Sequence, residues 1–225
     1  MKKPEKVKAC IFDLDGTILY TLESVARAGN RMLRSLGLPE QPLDDFRFHC
    51  GDGSRNLVER CIRAAGGTPT EETIARGDAL NRQFLAEDPS YRVRPYEGIP
   101  EVLLQLKRRG ILLAVFSNKP DDAAQTAVRN AFGGLFDYIQ GQTAEVPIKP
   151  DPAGALAAAA ALGADPGECM YFGDTWTDMQ TGRNAGMYTV GVLWGYRGRE
   201  ELADNGADAF AEAPADILKL LEGDL

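Results

Sequence analysis

The sequence predicts an α/β fold: a Rossmann-like parallel sheet with helices on both faces, interrupted by an inserted all-helical unit. Two observations carry this reading. Short apolar runs that end at polar loops alternate with helical patterns, which is the rhythm of a parallel sheet covered on both sides. One long stretch then breaks the rhythm and shows helical spacing alone. The size agrees, because 225 residues amount to about one and a half typical domains. With 44% apolar and 26% charged residues, the composition is globular and has the material for its own core.

The elements follow in order. Val7 to Leu14 is an apolar run closing at Asp15-Gly16, which suits a buried strand whose carboxyl end presents a loop. From Thr21 to roughly Arg94 the apolar residues recur at helical spacing, first Leu22, Val25, Ala26, Met32, Leu33 and Leu36. Leu57, Val58, Cys61 and Ile62 come next, followed by Ile74, Leu80, Phe84 and Leu85. Gly37 and Pro39, Gly66-Gly67-Thr68-Pro69 and Asp88-Pro89 punctuate this stretch as helix ends and turns. Helices are predicted over Ile99 to Arg109, Asp121 to Ala131, and Pro152 to Leu162, where the alanine run supplies the best helix former. Further strands are expected at Ile111 to Phe116, Cys169 to Phe172 and Tyr188 to Leu193. The chain thus divides into a core of 1–19 and 95–225 and a helical cap of 20–94. No internal repeat is present.

Charge and rare residues exclude several functions. A net charge of -8 lacks the basic footprint of a nucleic-acid binder. No run approaches the roughly 18 apolar residues of a membrane span. The single histidine, His49, rules out multi-histidine metal sites and histidine phosphatase chemistry, so carboxylates must carry any catalysis. Cys10, Cys50, Cys61 and Cys169 contain no C-x-x-C pair and read as buried free thiols of a reducing compartment. The basic start, Met1 to Lys8, leads into a strand instead of a signal h-region, so a cytoplasmic protein is expected.

Four polar segments stand at the carboxyl ends of predicted strands or in the loops beyond: Asp13-Leu14-Asp15-Gly16-Thr17, Ser117-Asn118, Lys149-Pro150, and Gly173-Asp174 with Asp178. Ligands of open parallel sheets bind in that region. Asp13 and Asp15 point the same way from an extended segment. Four carboxylates against one lysine are costly together unless a cation joins them, and hard oxygen ligands favour magnesium.

In this order, with a helical insert behind the first, the segments resemble the haloacid dehalogenase superfamily, among them its phosphatases with a helical cap. That resemblance implies a doubly covered core and cap, magnesium and phosphoryl transfer. Asp13 then looks like the nucleophile and Asp15 like the general acid and base. Thr17 and Ser117, with the backbone amides of Leu14 and Asn118, would hold the phosphoryl oxygens, and Lys149 would offset charge. Metal would be held by Asp13, the Asp15 carbonyl and Asp174, with Asp178 acting through water or behind them. The presence of Asp15 separates the chain from the dehalogenating branch.

Phe46 to Arg60, with Gly51, Gly53 and Arg55, is similar to the cap loop of the phosphoglycolate phosphatase subfamily. Pro95-Tyr96-Glu97-Gly98, Ser117-Asn118-Lys119-Pro120, Lys149-Pro150-Asp151-Pro152 and Trp194-Gly195-Tyr196-Arg197 share that similarity. It implies a small phosphorylated substrate, 2-phosphoglycolate first, with amides at a helix start and Arg55 receiving a carboxylate. Tyr20, where many relatives carry an acid, and Asp52, inside the loop, depart from the pattern. A pyrophosphatase, a sugar-phosphate phosphatase or a phosphomutase is the alternative on the same scaffold, and a phosphoaspartate switch is the non-enzyme reading. A monomer or homodimer is expected.

Overall fold

The structure, a computed structural model, describes residues 1–223. The chain opens with β1 (Ala9–Phe12) and β2 (Leu19–Tyr20), then runs through four helices, α1 (Leu22–Ser35), α2 (Phe46–His49), α3 (Ser54–Ala64) and α4 (Glu71–Glu87). It returns through β3 (Arg94–Pro95), α5 (Ile99–Arg108), β4 (Leu112–Pro120), α6 (Asp121–Phe132), β5 (Tyr138–Gln142) and α7 (Ala153–Ala161). The last third is β6 (Cys169–Gly173), α8 (Trp176–Asn184), β7 (Tyr188–Val192), α9 (Arg199–Asp204), β8 (Ala209–Ala211) and α10 (Asp216–Glu222).

Six strands form one parallel sheet in the order β5-β4-β1-β6-β7-β8. The predicted fold class is the observed one. The four strands expected from apolar runs are all present, and the sheet gains two edges, β5 and β8. Tyr138 to Gln142 is half-buried and Ala209 to Ala211 is three residues long, so neither shows the apolar run of a central strand.

Strand alternation builds two cores. Cys10 and Phe12 of β1 face one side, with Leu113, Val115 and Phe172, against Ile99, Leu103 and Leu106 of α5 and Val128 of α6. Ala9 and Ile11 face the other, where Ala155, Ala158 and Ala159 of α7 pack against Ala114, Phe116 and Tyr171. Alanine there lets the helix lie close on the sheet. A third core, from Leu22, Val25, Met32, Leu33, Phe46, Val58, Cys61 and Ile74, holds the four helices of the insert together. Where chain passes between core and insert, β2 and β3 pair antiparallel, Leu19 opposite Pro95 and Tyr20 opposite Arg94. Tyr20 stands edge-on to Tyr96 at 6.0 Å, with the Arg94 guanidinium 4.1 Å over its ring. Tyr20 is therefore part of this crossing.

Phe12 lies opposite both Val115 of β4 and Phe172 of β6, so β1 and β6 end within a residue of each other while β4 runs on to Pro120. The chain builds outward from β1 to β4 and β5, then crosses back to β6, which makes the β1/β6 boundary the topological switch point where such sheets bind ligands. Among the described residues, no helix is long and apolar enough to cross a membrane.

Candidate active site

Asp13 follows directly on β1 and its amide continues the sheet, donating to Phe172 O at 2.8 Å. From the neighbouring strand end comes Asp174, and Asp178 lies in the first turn of α8. These three buried carboxylates each place an oxygen within 4.8 Å of the others. Lys149, 1% exposed, sends its Nζ to Asp13 Oδ1 at 2.6 Å and Asp178 Oδ1 at 2.7 Å.

The partners of each group define its part. Asp178 is saturated: besides Lys149, it accepts from the Thr175 amide at 3.0 Å and the Thr175 hydroxyl at 2.6 Å, the capping box that opens α8. It therefore holds Lys149 and the helix start. Asp174 accepts from the Thr17 hydroxyl at 2.9 Å and the Tyr196 amide at 2.8 Å. Thr17, expected to reach phosphoryl oxygens, orients Asp174 in this structure. Close packing explains the glycines here, since a Cβ on Gly16 or Gly195 would overlap the Asp174 side chain and one on Gly173 would overlap Asp178. Gly16 also adopts a φ of 91°.

Burial in this cluster disfavours charge. It pushes Asp13 up to about 7, against the pull of Lys149 and with added repulsion from Asp178. Burial, then Asp178 and Asp13, hold Asp174 well above the usual carboxylate range. Burial works against the Lys149 ammonium too, but Asp13 and Asp178 outweigh it and keep the pKa well above that of a free lysine. Three carboxylates against one ammonium leave room for a further positive charge, and the donors are hard oxygens without nitrogen or sulfur. The cluster thus fits a divalent metal, with Asp13 and Asp174 the carboxylates least committed to other partners.

Asp15 is not in that group. Its carboxylate turns to Lys119, whose Nζ donates to both oxygens at 3.1 and 3.2 Å. Lys119 follows directly on Ser117-Asn118, and a cation beside a hydroxyl at a strand end was the available signal for it. Ser117 is buried at the same strand end. Asn118 joins three parts: its Oδ1 accepts from the Lys149 amide at 2.7 Å, and its Nδ2 donates to Gly51 O of the cap loop at 3.1 Å. The Thr177 hydroxyl donates to the same carbonyl at 3.1 Å, and Arg197 bonds the Arg47 and Cys50 carbonyls. The cap loop is therefore docked on the core.

Between them lies a cavity that is open to solvent. Asp13, Asp15, Ser117, Asn118 and Lys119 line its core side, and Val25, Gly51, Gly53, Ser54, Leu57, Asn81 and Leu85 its cap side. Gly53, at φ 96°, precedes α3, so the first amides of that helix open beside the cavity. Arg55 is not among the lining residues; its guanidinium bonds Glu71 on the exposed side of the cap. Asp52 is held by Arg60, with one contact of 2.6 Å, which neutralises the charge within the loop. His49 Nε2 is 2.8 Å from Gln41 Oε1 and its ring stands edge-on to Phe46, a place in the cap interior. Asn81 carried no sequence signal, being one of several polar residues within a helix.

A family model described as a haloacid dehalogenase-like hydrolase matches residues 7–186. The phosphoglycolate phosphatase of Aquifex aeolicus (strain VF5) is 31% identical over 217 residues, spanning 96% of this chain and 97% of its own. The N-acetylmuramic acid 6-phosphate phosphatase of Pseudomonas aeruginosa is 31% identical over 224 residues, spanning 98% and 97%. Among solved structures, a protein provisionally called phosphoglycolate phosphatase from Lactobacillus delbrueckii subsp. bulgaricus has a TM-score of 0.90 at 29% identity, over 98% of this chain and 99% of that one.

Proposed function

The chain belongs to the haloacid dehalogenase-like hydrolases and is a phosphatase of that family; we propose that it is a magnesium-dependent phosphomonoesterase of small phosphorylated metabolites, working through an aspartyl-phosphate. The observation that carries this reading is the meeting of Asp13, Asp174 and Lys149 beside the cavity between core and cap, with Asp15 and Lys119 among its lining residues.

In this mechanism a carboxylate oxygen of Asp13 bonds to phosphorus as the ester P–O bond breaks, and Asp15 gives its proton to the departing alkoxide. Asp15 then takes a proton from water, whose oxygen attacks the same phosphorus and returns Asp13 as a carboxylate. Lys149 holds Asp13 in place and offsets the charge that gathers on the phosphoryl oxygens. Ser117 and the amides of Leu14 and Asn118 orient those oxygens, while Lys119 competes for the incoming anion. Magnesium would be held by Asp13 and Asp174 and the Asp15 carbonyl, and would supply positive charge to the phosphoryl group. Residues 20–94 act as the cap that closes on the substrate. Four free, buried cysteines suit a cytoplasmic protein, as a monomer or homodimer.

The relatives support 2-phosphoglycolate as substrate, with the first amides of α3 available to its carboxylate. A second reading, a sugar-phosphate phosphatase, is favoured by the apolar cap wall of Val25, Leu57 and Leu85. The test is phosphate release from 2-phosphoglycolate, hexose 6-phosphates, nucleotides and pyrophosphate, with magnesium and with chelator. Magnesium-dependent release from phosphomonoesters is expected; activity that survives chelation, or release from pyrophosphate alone, would overturn the proposal.

A further inference from the structure

We propose that Asn81 is a specificity-determining residue: its amide oxygen accepts a hydrogen bond from a hydroxyl or amide N–H on the alcohol portion of the substrate. The preferred phosphomonoester then has an uncharged leaving group that carries such a donor. This inference rests on the phosphomonoesterase reading above and chooses between its two substrates.

Asn81 lies on α4, 1% exposed, in the cap wall of the cavity. Its Nδ2 is 3.4 Å from Ser54 Oγ. The Ser54 hydroxyl donates to Asp78 Oδ1 at 2.5 Å, and Arg82 Nε donates to the other Asp78 oxygen at 2.9 Å. This relay has a direction. A serine has one proton to give, Asp78 takes it, and the Ser54 oxygen is left as an acceptor. Only the nitrogen of the Asn81 amide can face it, because a turned amide would set two acceptors against each other. The amide oxygen is then left over, and Asn81 Oδ1 is buried without a hydrogen-bond partner. Buried acceptors are ordinarily satisfied, so one held in this state at a ligand cavity marks a place where a ligand supplies the donor.

The surroundings specify the donor's company. Val25, Leu57 and Leu85 share the wall and accept carbon, not charge. Among the described residues, no cap lysine or arginine lines the cavity, since Arg55 is spent on Glu71 and Arg60 on Asp52. A distal carboxylate reaching Asn81 would meet an acceptor and an apolar wall. A hydroxyl or amide N–H on a neutral carbon frame satisfies both.

The test compares kcat/KM on N-acetylglucosamine 6-phosphate, which has both kinds of donor, with phenyl phosphate, which has neither, and with 2-phosphoglycolate. The full chain is used with magnesium, as wild type, Asn81→Leu and Ser54→Ala. The wild type is expected to prefer the sugar phosphate, and Asn81→Leu to lower its preference over phenyl phosphate by about tenfold, the worth of one hydrogen bond. Ser54→Ala frees the amide to turn and shifts the same ratio by less; it carries the test if Asn81→Leu does not fold. Turnover of phenyl phosphate in each variant reports intact core chemistry. A ratio unchanged in the variants, or a wild-type preference for 2-phosphoglycolate, overturns the inference and leaves the phosphatase reading standing. Absence of turnover on all three substrates overturns both.

Discussion

On the core side of the cavity the charged groups have their partners inside the protein: Lys149 grips Asp13 and Asp178, Thr17 and the Tyr196 amide hold Asp174, and Lys119 covers Asp15. On the cap side the wall is apolar, the amides at the start of α3 are unspent, and Asn81 keeps a free acceptor, while the arginines turn away to Glu71 and Asp52. The contrast separates two tasks. Groups that handle a phosphoryl unit must be preorganised, because reorganisation during reaction raises the barrier. Groups that select a leaving group need only be placed, with their bonding capacity left for the substrate. The core is accordingly a closed network and the cap an open one.

The largest effect that would break this contrast lies in the core. Asp13→Asn is expected to lower turnover by at least about 10⁴-fold while circular dichroism shows a folded protein. Retained activity would remove the covalent mechanism and with it the reason for a closed network. Lys119→Ala and Arg55→Ala then compare two cations that look alike in sequence. Removing Lys119 should reduce kcat/KM by about ten- to a hundredfold, because the cation faces Asp15 in the cavity. Removing Arg55 should leave activity within about twofold and stability within about 0.5 kcal/mol, as expected of an exposed pair. Equal effects of the two would show that the cap's surface charge reaches the site.

The smallest effect lies in the cap interior. Burial holds the His49 pKa below its ordinary 6.5, so the folded state prefers the neutral ring. The sign follows: the unfolded chain takes up a proton first, and the stability due to neutral His49 is lost as pH falls through about 6.5. Thermal melts from pH 7.5 to 5.5 should show a small fall in Tm that His49→Gln reduces, since a glutamine cannot titrate. An identical slope in the variant would place the loss elsewhere.

Much of the core could be read in advance from single residues. Ala9 to Phe12 and Cys169 to Phe172 are buried on both faces and therefore carry continuous apolar runs, whereas β5 and β8 sit at the sheet edges and do not. Asp13 and Asp174 were legible as a group because residues at the carboxyl ends of parallel strands share one rim whatever the intervening chain, and Lys149 joins them from the loop beyond β5. Arg55 was misleading for the opposite reason. Its place at a helix start suggested an anion site, but a flexible exposed guanidinium pairs with whichever carboxylate the neighbouring helix presents, and α4 presents Glu71. Lys119 stood beside a recognisable segment, and Asn81 beside none.

The linear pattern was enough to specify a parallel sheet, a helical insert after the first strand, and a set of aspartates gathered at the strand ends in a chain with one histidine. These depend on periodicity and on which side chains exist, and both are local. The packing of the insert against the core settled the rest: which cation faces Asp15, which arginine leaves the site, that Thr17 serves Asp174, and that one amide oxygen is left without a donor. Each of those outcomes is a competition among partners far apart in the chain, and only their arrangement in space says which partner is near enough to win.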